Sequence, residues 1–310
     1  MGDAPAVLYE VDGRVARLTL NRPERGNALT PALIAELAEC VRRADLDARV
    51  HVLLLAGAGS GFCGGYDLVE SAEGIGARSA GSLGRGEDAA PASSPLAPAV
   101  IAANHDPRGA WDPMVDYAMM SRNVQAFMSL LNCGKPVVCR VHGFCVAGGT
   151  DMALCSDLLV IADDAKIGYP PARVWGSPTT ALWAHRLGAQ RAKRLLFTGD
   201  TLSGREALEW GLAIDAPPAE LVQERAETLV QRIARMPINQ LMMMKLLVNE
   251  SLHAQGVHAS QTLGTVFDGI ARHTAEGYAF QQRAAERGYR DAVRERDEPF
   301  GDVGRSTFKG

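Results

Sequence analysis

The sequence predicts an α/β protein in which strands and helices alternate at first and helices alone follow. Two apolar runs around Asp12 and Gly13 indicate a β-hairpin, because this pair favours the tight turn between antiparallel strands. A helical apolar stripe begins after Thr30, and a buried strand is predicted over Val50–Leu55. Strand, helix and strand in this order are what a βαβ unit requires.

The first helix has a defined start in the sequence. Thr30 offers a side-chain oxygen as the N-cap. Pro31 suits the first helical position, because an N–H at this position would have no acceptor within the helix. Four apolar residues then follow at helical spacing: Leu33, Ile34, Leu37 and Val41. This spacing is typical of a surface helix that packs on a core.

The composition changes to Gly, Ala, Ser and Pro between Ser71 and Pro98. Such a segment has little to bury, so we predict a mobile insertion over residues 71–113. Order is expected to resume between Trp111 and Met114, where a helical apolar pattern begins that continues to Leu131.

The segment from Lys135 to Asp157, KPVVCRVHGFCVAGGTDMALCSD, is the strongest indication of a functional site. A β-type run, Pro136–Val141, leads through a loop of small residues to Gly148 and Gly149, where a short helix is predicted. Free backbone N–H groups at a helix start carry partial positive charge, and glycine lets a ligand approach them closely. The pattern therefore favours stabilisation of an anion.

A second glycine-rich turn, Gly57–Leu68, follows another apolar run and offers a second N–H donor. Within it, Gly59, Gly61 and Gly64 match the G-x-G-x-x-G pattern of dinucleotide-binding proteins. That fold needs a helix and a second strand next, whereas this chain continues into the Gly, Ala and Ser segment. The context therefore disfavours a dinucleotide site.

The C-terminal part of the chain is predicted to be helical. Ser203 and Glu206 fit a capping box. Helical patterns follow over residues 219–235, 237–253 and 262–287. We predict three regions: a core over residues 1–200, a helical region for oligomer contacts over residues 201–290, and a charged, frayed tail over residues 291–310.

The overall composition is that of a globular chain with a large core. Its 310 residues are 47% hydrophobic and 22% charged, with a formal net charge of −4. This charge gives no general attraction to nucleic acid or acidic membranes, so neither partner is expected. The sequence shows no secretion signal, no apolar run near the ~20 residues of a membrane span, and no zinc-type spacing of its six cysteines. We expect a cytoplasmic protein without a bound metal.

Three motifs together resemble the crotonase superfamily, whose best-known members are enoyl-CoA hydratases and isomerases. They are NRPERGNAL (residues 21–29), GSGFCGGYDL (residues 59–68) and the segment KPVVCRVHGFCVAGGTDMALCSDL (residues 135–158). The resemblance implies a core of ββα turns wound as a spiral, a helical C-terminal region, and assembly as a homotrimer or hexamer. It also implies an acyl-CoA substrate, with coenzyme A as part of that substrate and no separate cofactor.

The resemblance implies an oxyanion hole in which the backbone N–H groups of Tyr66 and Gly148 hold the thioester oxygen. It also aligns Asp151 with the position where hydratases of the family carry a catalytic glutamate. An acid in the first turn of a helix also stabilises that helix by ~0.3–1 kcal/mol, which is the purely structural alternative. The further substrate-binding residues that the resemblance implies are Arg25, Asn27, Ala28, Gly64, Gly65, Asp67, Leu68, Gly149, Tyr169, Pro171 and Trp175.

The sequence departs from the family at Pro171, where hydratases carry a second glutamate. Proline can neither activate water nor deliver a proton, whereas isomerisation of an enoyl double bond needs only one base. The sequence therefore predicts an enoyl-CoA hydratase or double-bond isomerase without choosing between them. Two alternatives stay open: hydrolysis of a thioester or carbon–carbon bond at the same oxyanion site, and binding of acyl-CoA without turnover.

Overall fold

The computed structural model describes residues 4–67, 94 and 96–301, which form a mixed α/β fold. The strands in this part of the chain are β1 (Val7–Asp12), β2 (Val15–Leu20), β3 (Val52–Gly57), β4 (Val137–Val141), β5 (Phe144–Val146), β6 (Leu158–Ile161), β7 (Lys166–Gly168) and β8 (Thr201–Ser203). The helices are α1 (Pro31–Leu46), α2 (Pro98–Asn104), α3 (Pro113–Asn132), α4 (Gly148–Ala153), α5 (Trp183–Leu187), α6 (Ala189–Thr198), α7 (Gly204–Glu209), α8 (Val222–Ile233), α9 (Ile238–Ala254), α10 (Val257–Arg272), α11 (Ala275–Arg287) and α12 (Tyr289–Asp297).

The main sheet has five strands in the order β1-β2-β3-β4-β6. β1 and β2 pair antiparallel, which confirms the predicted hairpin, and the other neighbouring strands are parallel. Every residue of β3 is buried, as expected for a central parallel strand that is covered on both faces. Because β3 and β4 run parallel, their C-terminal ends lie side by side, and a glycine-rich turn follows each of them.

A smaller sheet in the order β5-β7-β8 lies next to these turns. β5 and β7 are parallel, and β7 and β8 are antiparallel. Cys63 of the first glycine turn forms an isolated β-bridge with Cys145 of β5, and the N–H of Val146 donates to the carbonyl oxygen of Cys63 at 3.0 Å. The bridge fixes the first glycine turn against the segment that leads into α4.

The helices cover the main sheet, and their predicted caps are present. α1 packs against β1 and β2, while α8 packs against β3, β4 and β6. The Thr30 hydroxyl accepts from Leu33 N at 3.2 Å, and Ser203 with Glu206 forms the predicted capping box. Among the described helices, none has the length and apolar character that a bilayer span requires.

All six cysteines are free and buried. Cys63, Cys139, Cys145 and Cys155 are completely inaccessible to solvent. Burial raises the pKa of the Cys63 thiol to about 12. The six residues are Cys40, Cys63, Cys133, Cys139, Cys145 and Cys155, and they serve as small apolar residues of the core.

The expectation that order resumes only between Trp111 and Met114 is wrong, because helix α2 begins at Pro98. Asn104 at the end of α2 donates through Nδ2 to Asp116 Oδ2 of α3 at 3.0 Å, and both side chains are buried. The helix is held by buried polar contacts, which a count of apolar residues does not detect. Most of the predicted insertion, residues 71–93, lies outside the described residues.

The C-terminal helices also differ from their predicted bounds. The pattern over residues 262–287 belongs to two helices, α10 and α11, because Thr274 caps a new helix by accepting from Gly277 N at 3.1 Å. The predicted frayed tail begins instead as helix α12. Arg173, next to the core, pairs with Asp297 of that helix at 3.0 Å, and Ala292 is buried beneath it. Residues 302–310 lie outside the described residues.

Candidate active site

The two glycine-rich turns meet at the C-terminal ends of β3 and β4. Gly65 of the first turn has a φ of 96°, which a residue with a side chain rarely adopts. A Cβ at Gly65 would lie 2.8 Å from Ala147 Cβ and 3.5 Å from Gly148 N. Glycine at this position therefore lets the first turn lie directly against the start of α4.

The backbone N–H groups of Tyr66 and Gly148 have no acceptor among the described residues. Leu29 bonds the residues on either side of Tyr66, through Gly65 O at 2.8 Å and Asp67 N at 2.9 Å. The N–H of Tyr66 therefore points away from Leu29. Gly148 is the first residue of α4, where N–H groups lack intrahelical acceptors. Two unpaired donors thus lie on adjacent segments, as an oxyanion hole requires.

Asp151 lies in the first turn of α4 and is only 1% exposed. Its Oδ1 accepts from Thr180 N at 3.1 Å and from Thr180 Oγ1 at 2.9 Å. Its Oδ2 is buried and has no hydrogen-bond partner among the described residues. Burial raises the pKa of this carboxyl to about 7, although the bonds from Thr180 act in the opposite direction. The group therefore exchanges a proton readily near neutral pH.

The side chain of Tyr66 covers the start of α4. A Cβ at Gly148 would lie 2.7 Å from Tyr66 Cε2, so the ring packs directly on this glycine. The Tyr66 hydroxyl is buried and lacks a partner in the described part of the chain. Burial, followed by the nearby charge of Asp151, raises the pKa of the hydroxyl well above its usual value. The raised pKa favours the neutral form of the Tyr66 hydroxyl.

The segment around Pro171 brings no acid to the site. Pro171 lies in a short 3-10 helix, Pro170–Arg173, directly after Tyr169. The Tyr169 hydroxyl donates to Ser177 O at 2.9 Å, and burial raises its pKa well above the usual value. Tyr169 is therefore a poor replacement for the missing glutamate as a proton donor.

Arg25 and Asp67, two of the predicted substrate-binding residues, form an ion pair at 3.2 Å. Arg22 bonds the other carboxylate oxygen of Asp67 at 3.1 Å and donates to Ala28 O at 2.6 Å. Asp67 is buried, whereas the side chain of Arg25 is 41% exposed. Asp67 therefore holds the two arginines beside the turn, and only Arg25 is well exposed to a ligand.

Asn27 ties the N-terminal motif to the first glycine turn. It is fully buried with a φ of 53°, and its Nδ2 donates to Ala58 O at 2.8 Å and Gly61 O at 3.0 Å. The N–H of Gly64 donates to Gly26 O at 3.0 Å. The contacts of Asn27 support the backbone that carries Tyr66, so its observed role is to position the site.

The remaining predicted residues lie in different surroundings. Gly149 packs beneath the first turn, where an added Cβ would lie 2.7 Å from Cys63 O. Trp175 packs against Phe280 of α11 with 5.8 Å between ring centroids, in a small apolar cluster with the C-terminal helices. The structure thus gives Trp175 a packing role and does not bring it to Asp151. Leu68 lies outside the described residues.

Sequence reasoning missed a charged pair on α10. Arg272 Nη2 lies 2.5 Å from Asp268 Oδ2, and Asp268 is 7% exposed. The i,i+4 spacing of Asp and Arg is visible in the sequence, but such pairs are common on exposed helix faces. No sequence signal distinguishes this buried pair from a solvated one, since its burial depends on how α10 packs.

A second polar cluster surrounds Asp116 of α3. Asp116 Oδ2 accepts from Asn104 Nδ2 at 3.0 Å and Trp111 Nε1 at 2.8 Å, and lies 3.0 Å from His273 Nε2. His105, Asp116 and His273 have the spacing of three possible metal ligands. Arg272 lies 4.0 Å from Asp116 Oδ1, and its charge opposes a second cation there. The contacts fit a buried hydrogen-bond network that joins α2, α3 and α10.

Comparison with known proteins gives one consistent result. The family model described as enoyl-CoA hydratase/isomerase matches residues 10–104 and 97–283. The chain is 30% identical over 253 residues to the 1,2-epoxyphenylacetyl-CoA isomerase of Escherichia coli, covering 79% of this chain and 82% of the relative. It is 28% identical to the (E)-benzylidenesuccinyl-CoA hydratase of Thauera aromatica, covering 74% and 76%. A crystal structure of an enoyl-CoA hydratase from Mycobacterium smegmatis superposes with a TM-score of 0.90 at 53% identity, covering 99% of this chain and 98% of that one.

Proposed function

The chain belongs to the enoyl-CoA hydratase/isomerase family of the crotonase superfamily, and from this premise we propose that it converts an enoyl-CoA thioester through an enolate. Tyr66 N–H and Gly148 N–H would hold the enolate oxygen, and Asp151 would carry the proton. The observation that carries the proposal is the unpartnered, buried Oδ2 of Asp151 in the same helical turn as a free oxyanion donor.

The geometry supports a one-base reaction directly. With a 3-enoyl thioester, the Asp151 carboxylate takes a proton from C2, and the electrons move to the thioester oxygen between the two N–H donors. Asp151 then returns the proton to C4, which gives the 2-enoyl thioester without loss or gain of atoms. A pKa of about 7 suits both steps, since the acid and the carboxylate are then present in similar amounts at neutral pH.

Hydration of a 2-enoyl thioester is the second reaction of the proposal. It needs a water molecule activated on one side and a proton delivered to C2. Pro171 supplies neither function, so hydration requires a further acid or base from elsewhere in the fold. Relatives named as hydratases and as isomerases both match this chain, and their names favour neither reaction alone.

We propose that coenzyme A enters as part of the substrate and that no separate cofactor takes part. Arg25 is the candidate for contact with its phosphate groups, because its side chain is 41% exposed and lies beside the first glycine turn. Asp67 restrains the guanidinium at 3.2 Å and so reduces the entropy that phosphate binding would cost. We further propose a cytoplasmic location, which cell fractionation tests.

We also propose a homo-oligomer, a trimer or hexamer, assembled through α9. The buried residues of this helix are the polar Lys245 and Asn249. Lys245 Nζ lies 2.9 Å from Asp157 Oδ2, so the polar side of the helix is anchored on the core. Its exposed side is apolar: Met243, Met244, Leu246, Leu247 and Val248 are each exposed by between 47% and 68%. A helix with buried polar residues and an exposed apolar face is suited to contact another protein, and we propose that a second copy of the chain covers this face.

The test of the reaction is incubation with 2-enoyl and 3-enoyl thioesters in heavy water, followed by mass spectrometry. We expect deuterium uptake with double-bond migration or addition of water by the wild-type protein, and loss of both in Asp151→Asn. Asp291→Asn is the matched control, because Asp291 lies on the surface with half of its side chain exposed (50%). Release of free coenzyme A would favour a hydrolase, and binding without reaction would favour a binding protein; either result contradicts the proposal.

A further inference from the structure

The Asp268–Arg272 pair of α10 has no role in the one-base reaction. Asp268 is 7% exposed, and the side chain of Arg272 is 15% exposed. Burial of an ion pair costs several kcal/mol of desolvation for each ion, and well-packed apolar residues often stabilise a fold at least as well. The stability of the fold therefore does not by itself require charged residues at these positions.

The helix face that carries Asp268 packs on the loop that holds Asp151. Thr265 Oγ1 of α10 lies 3.4 Å from Thr179 O, although its shorter hydrogen bond, at 2.9 Å, is to Gln261 O of its own helix. Thr180, the next residue of that loop, makes both hydrogen bonds to Asp151 Oδ1. Residues three apart share one face of a helix, so Asp268 lies one turn beyond this contact on the same side.

One oxygen of Asp268 is available for a further bond. Arg272 bonds Oδ2, whereas Oδ1 has no hydrogen-bond partner among the described residues. The negative charge of Asp268 adds to burial in raising the pKa of three site residues: Asp151, Tyr66 and Tyr169. The rise in all three pKa values agrees with a position of Asp268 beside the loop of Thr179 and Thr180, as inferred from the helix contacts.

We propose that Asp268 is the second carboxylate of the active site and supplies the acid or base function that Pro171 lacks. Arg272 is the positioning residue that holds Oδ2 and leaves Oδ1 for water. The inference rests on the proposed function, since a second proton carrier has a role only if an enoyl thioester is the substrate. It identifies hydration as a reaction that this site can perform.

The proposed step balances in atoms and electrons. Asp268 takes a proton from water while the water oxygen bonds C3, and the C2–C3 π electrons move to the thioester oxygen as an enolate. Protonated Asp151 donates its proton to C2, and the carbonyl forms again. Asp268 then returns its proton to Asp151 through solvent, so the net change is the addition of one water molecule.

The test measures two reactions in the same variants. Addition of water to a 2-enoyl thioester is followed with oxygen-18 water, and exchange of C2–H in a 3-enoyl thioester is followed in heavy water. We expect Asp268→Asn to lower water addition by about 10²–10⁴-fold, and to change C2–H exchange by a much smaller factor, because only the effect of its charge on Asp151 is lost in that reaction. Asp151→Asn is expected to lower both rates, and the surface control Asp291→Asn neither.

Each contrary result has a distinct meaning. Equal losses of both rates in Asp268→Asn would indicate a purely structural role and overturn the inference, as would unchanged water addition. A wild-type protein that exchanges C2–H but never adds water would overturn the inference while the proposed isomerase function stands. A wild-type protein inert toward every thioester would overturn both.

A second variant keeps the inference testable if Asp268→Asn does not fold. Asp268→Glu keeps the charge and the pair with Arg272 but moves the carboxylate by one methylene. We expect it to lower water addition selectively, because proton transfer depends on hydrogen-bond reach. Unchanged water addition in this variant would contradict a direct role for the carboxylate.

Discussion

Asp151 has surroundings in which its acid and carboxylate forms differ little in free energy at neutral pH. Burial disfavours the charged form, whereas the two bonds from Thr180 favour it, and the resulting pKa is about 7. The sequence position predicts a carboxyl group at this point, but the balance depends on Thr180, which lies 29 positions away in the chain. Sequence spacing could therefore predict the residue and not its proton affinity.

Replacement of Asp151 should change how stability depends on pH. The pKa is about 7 in the folded chain and ~3.9 in an unfolded one. The contribution of this group to stability is therefore complete below pH ~4 and is lost as the pH rises toward the folded value. The unfolding free energy of Asp151→Asn, relative to that of the wild type, should therefore rise by about 1.4 kcal/mol per pH unit over that interval. Urea unfolding at pH 5 and 7.5 measures the gain, and parallel pH dependences would refute it.

A substitution at Gly148 tests the proposed oxyanion donors separately from Asp151. A Cβ at this position would lie 2.7 Å from Tyr66 Cε2 and 2.9 Å from Leu29 Cδ1, so Gly148→Ala must displace these side chains or the start of α4. We expect turnover to fall by about 10²–10³-fold, as for loss of one oxyanion donor. Gly134→Ala, before the start of β4, is the control, because the nearest atom to its Cβ would be Met242 Cε at 2.8 Å, the end of a flexible side chain. Similar rates for the two variants would argue against the assignment of the donor.

At the scale of elements, strands and capped helices were predictable because their signals are local. The hairpin around Asp12 and Gly13 and the cap at Thr30 each depend on a few neighbouring residues. Helix α2 was missed because its last residue, Asn104, is held by Asp116 of another helix. Asp268, the proposed second carboxylate, was missed for the same reason, since its burial depends on the packing of α10.

Helix α9 gives a prediction about assembly. Leu247 is 68% exposed on its apolar side, while Lys245 is anchored beneath it on Asp157. Leu247→Arg should shift the protein from oligomer to smaller species in sedimentation velocity, because a charge would be buried without a partner at the interface. Glu209→Arg, an exposed change on α7, should leave the sedimentation coefficient unaltered. A wild-type protein that sediments as a monomer would contradict the proposed assembly.

At the scale of the whole molecule, the last helix is joined to the segment that follows Tyr169. Arg173 is almost fully buried, with its side chain 1% exposed, and it pairs with Asp200 at 3.3 Å and Asp297 at 3.0 Å. Trp175 packs in the cluster beneath α11 and α12. The sequence suggested a frayed end here because charged residues dominate it, but their partners lie far away along the chain.

This junction should contribute measurably to global stability. Asp297→Asn is expected to lower the unfolding free energy by about 1.5–3 kcal/mol, since it weakens a charged hydrogen bond to buried Arg173. Asp291→Asn, on the same helix, should cost about 0–1 kcal/mol because its pair with Arg294 is exposed. Equal urea midpoints for the two variants would show that α12 does not stabilise the core.

Because all six thiols are buried, we expect the native protein to react very slowly with sulfhydryl reagents. A thiol reacts as its thiolate, and burial both hides these sulfur atoms and raises their pKa, to about 12 for Cys63. A cysteine placed at exposed Glu209 of α7, away from the proposed contact face of α9, would then be the preferred site for a maleimide dye. Energy transfer between dyes on different copies would follow subunit exchange in solution, without removal of any native cysteine.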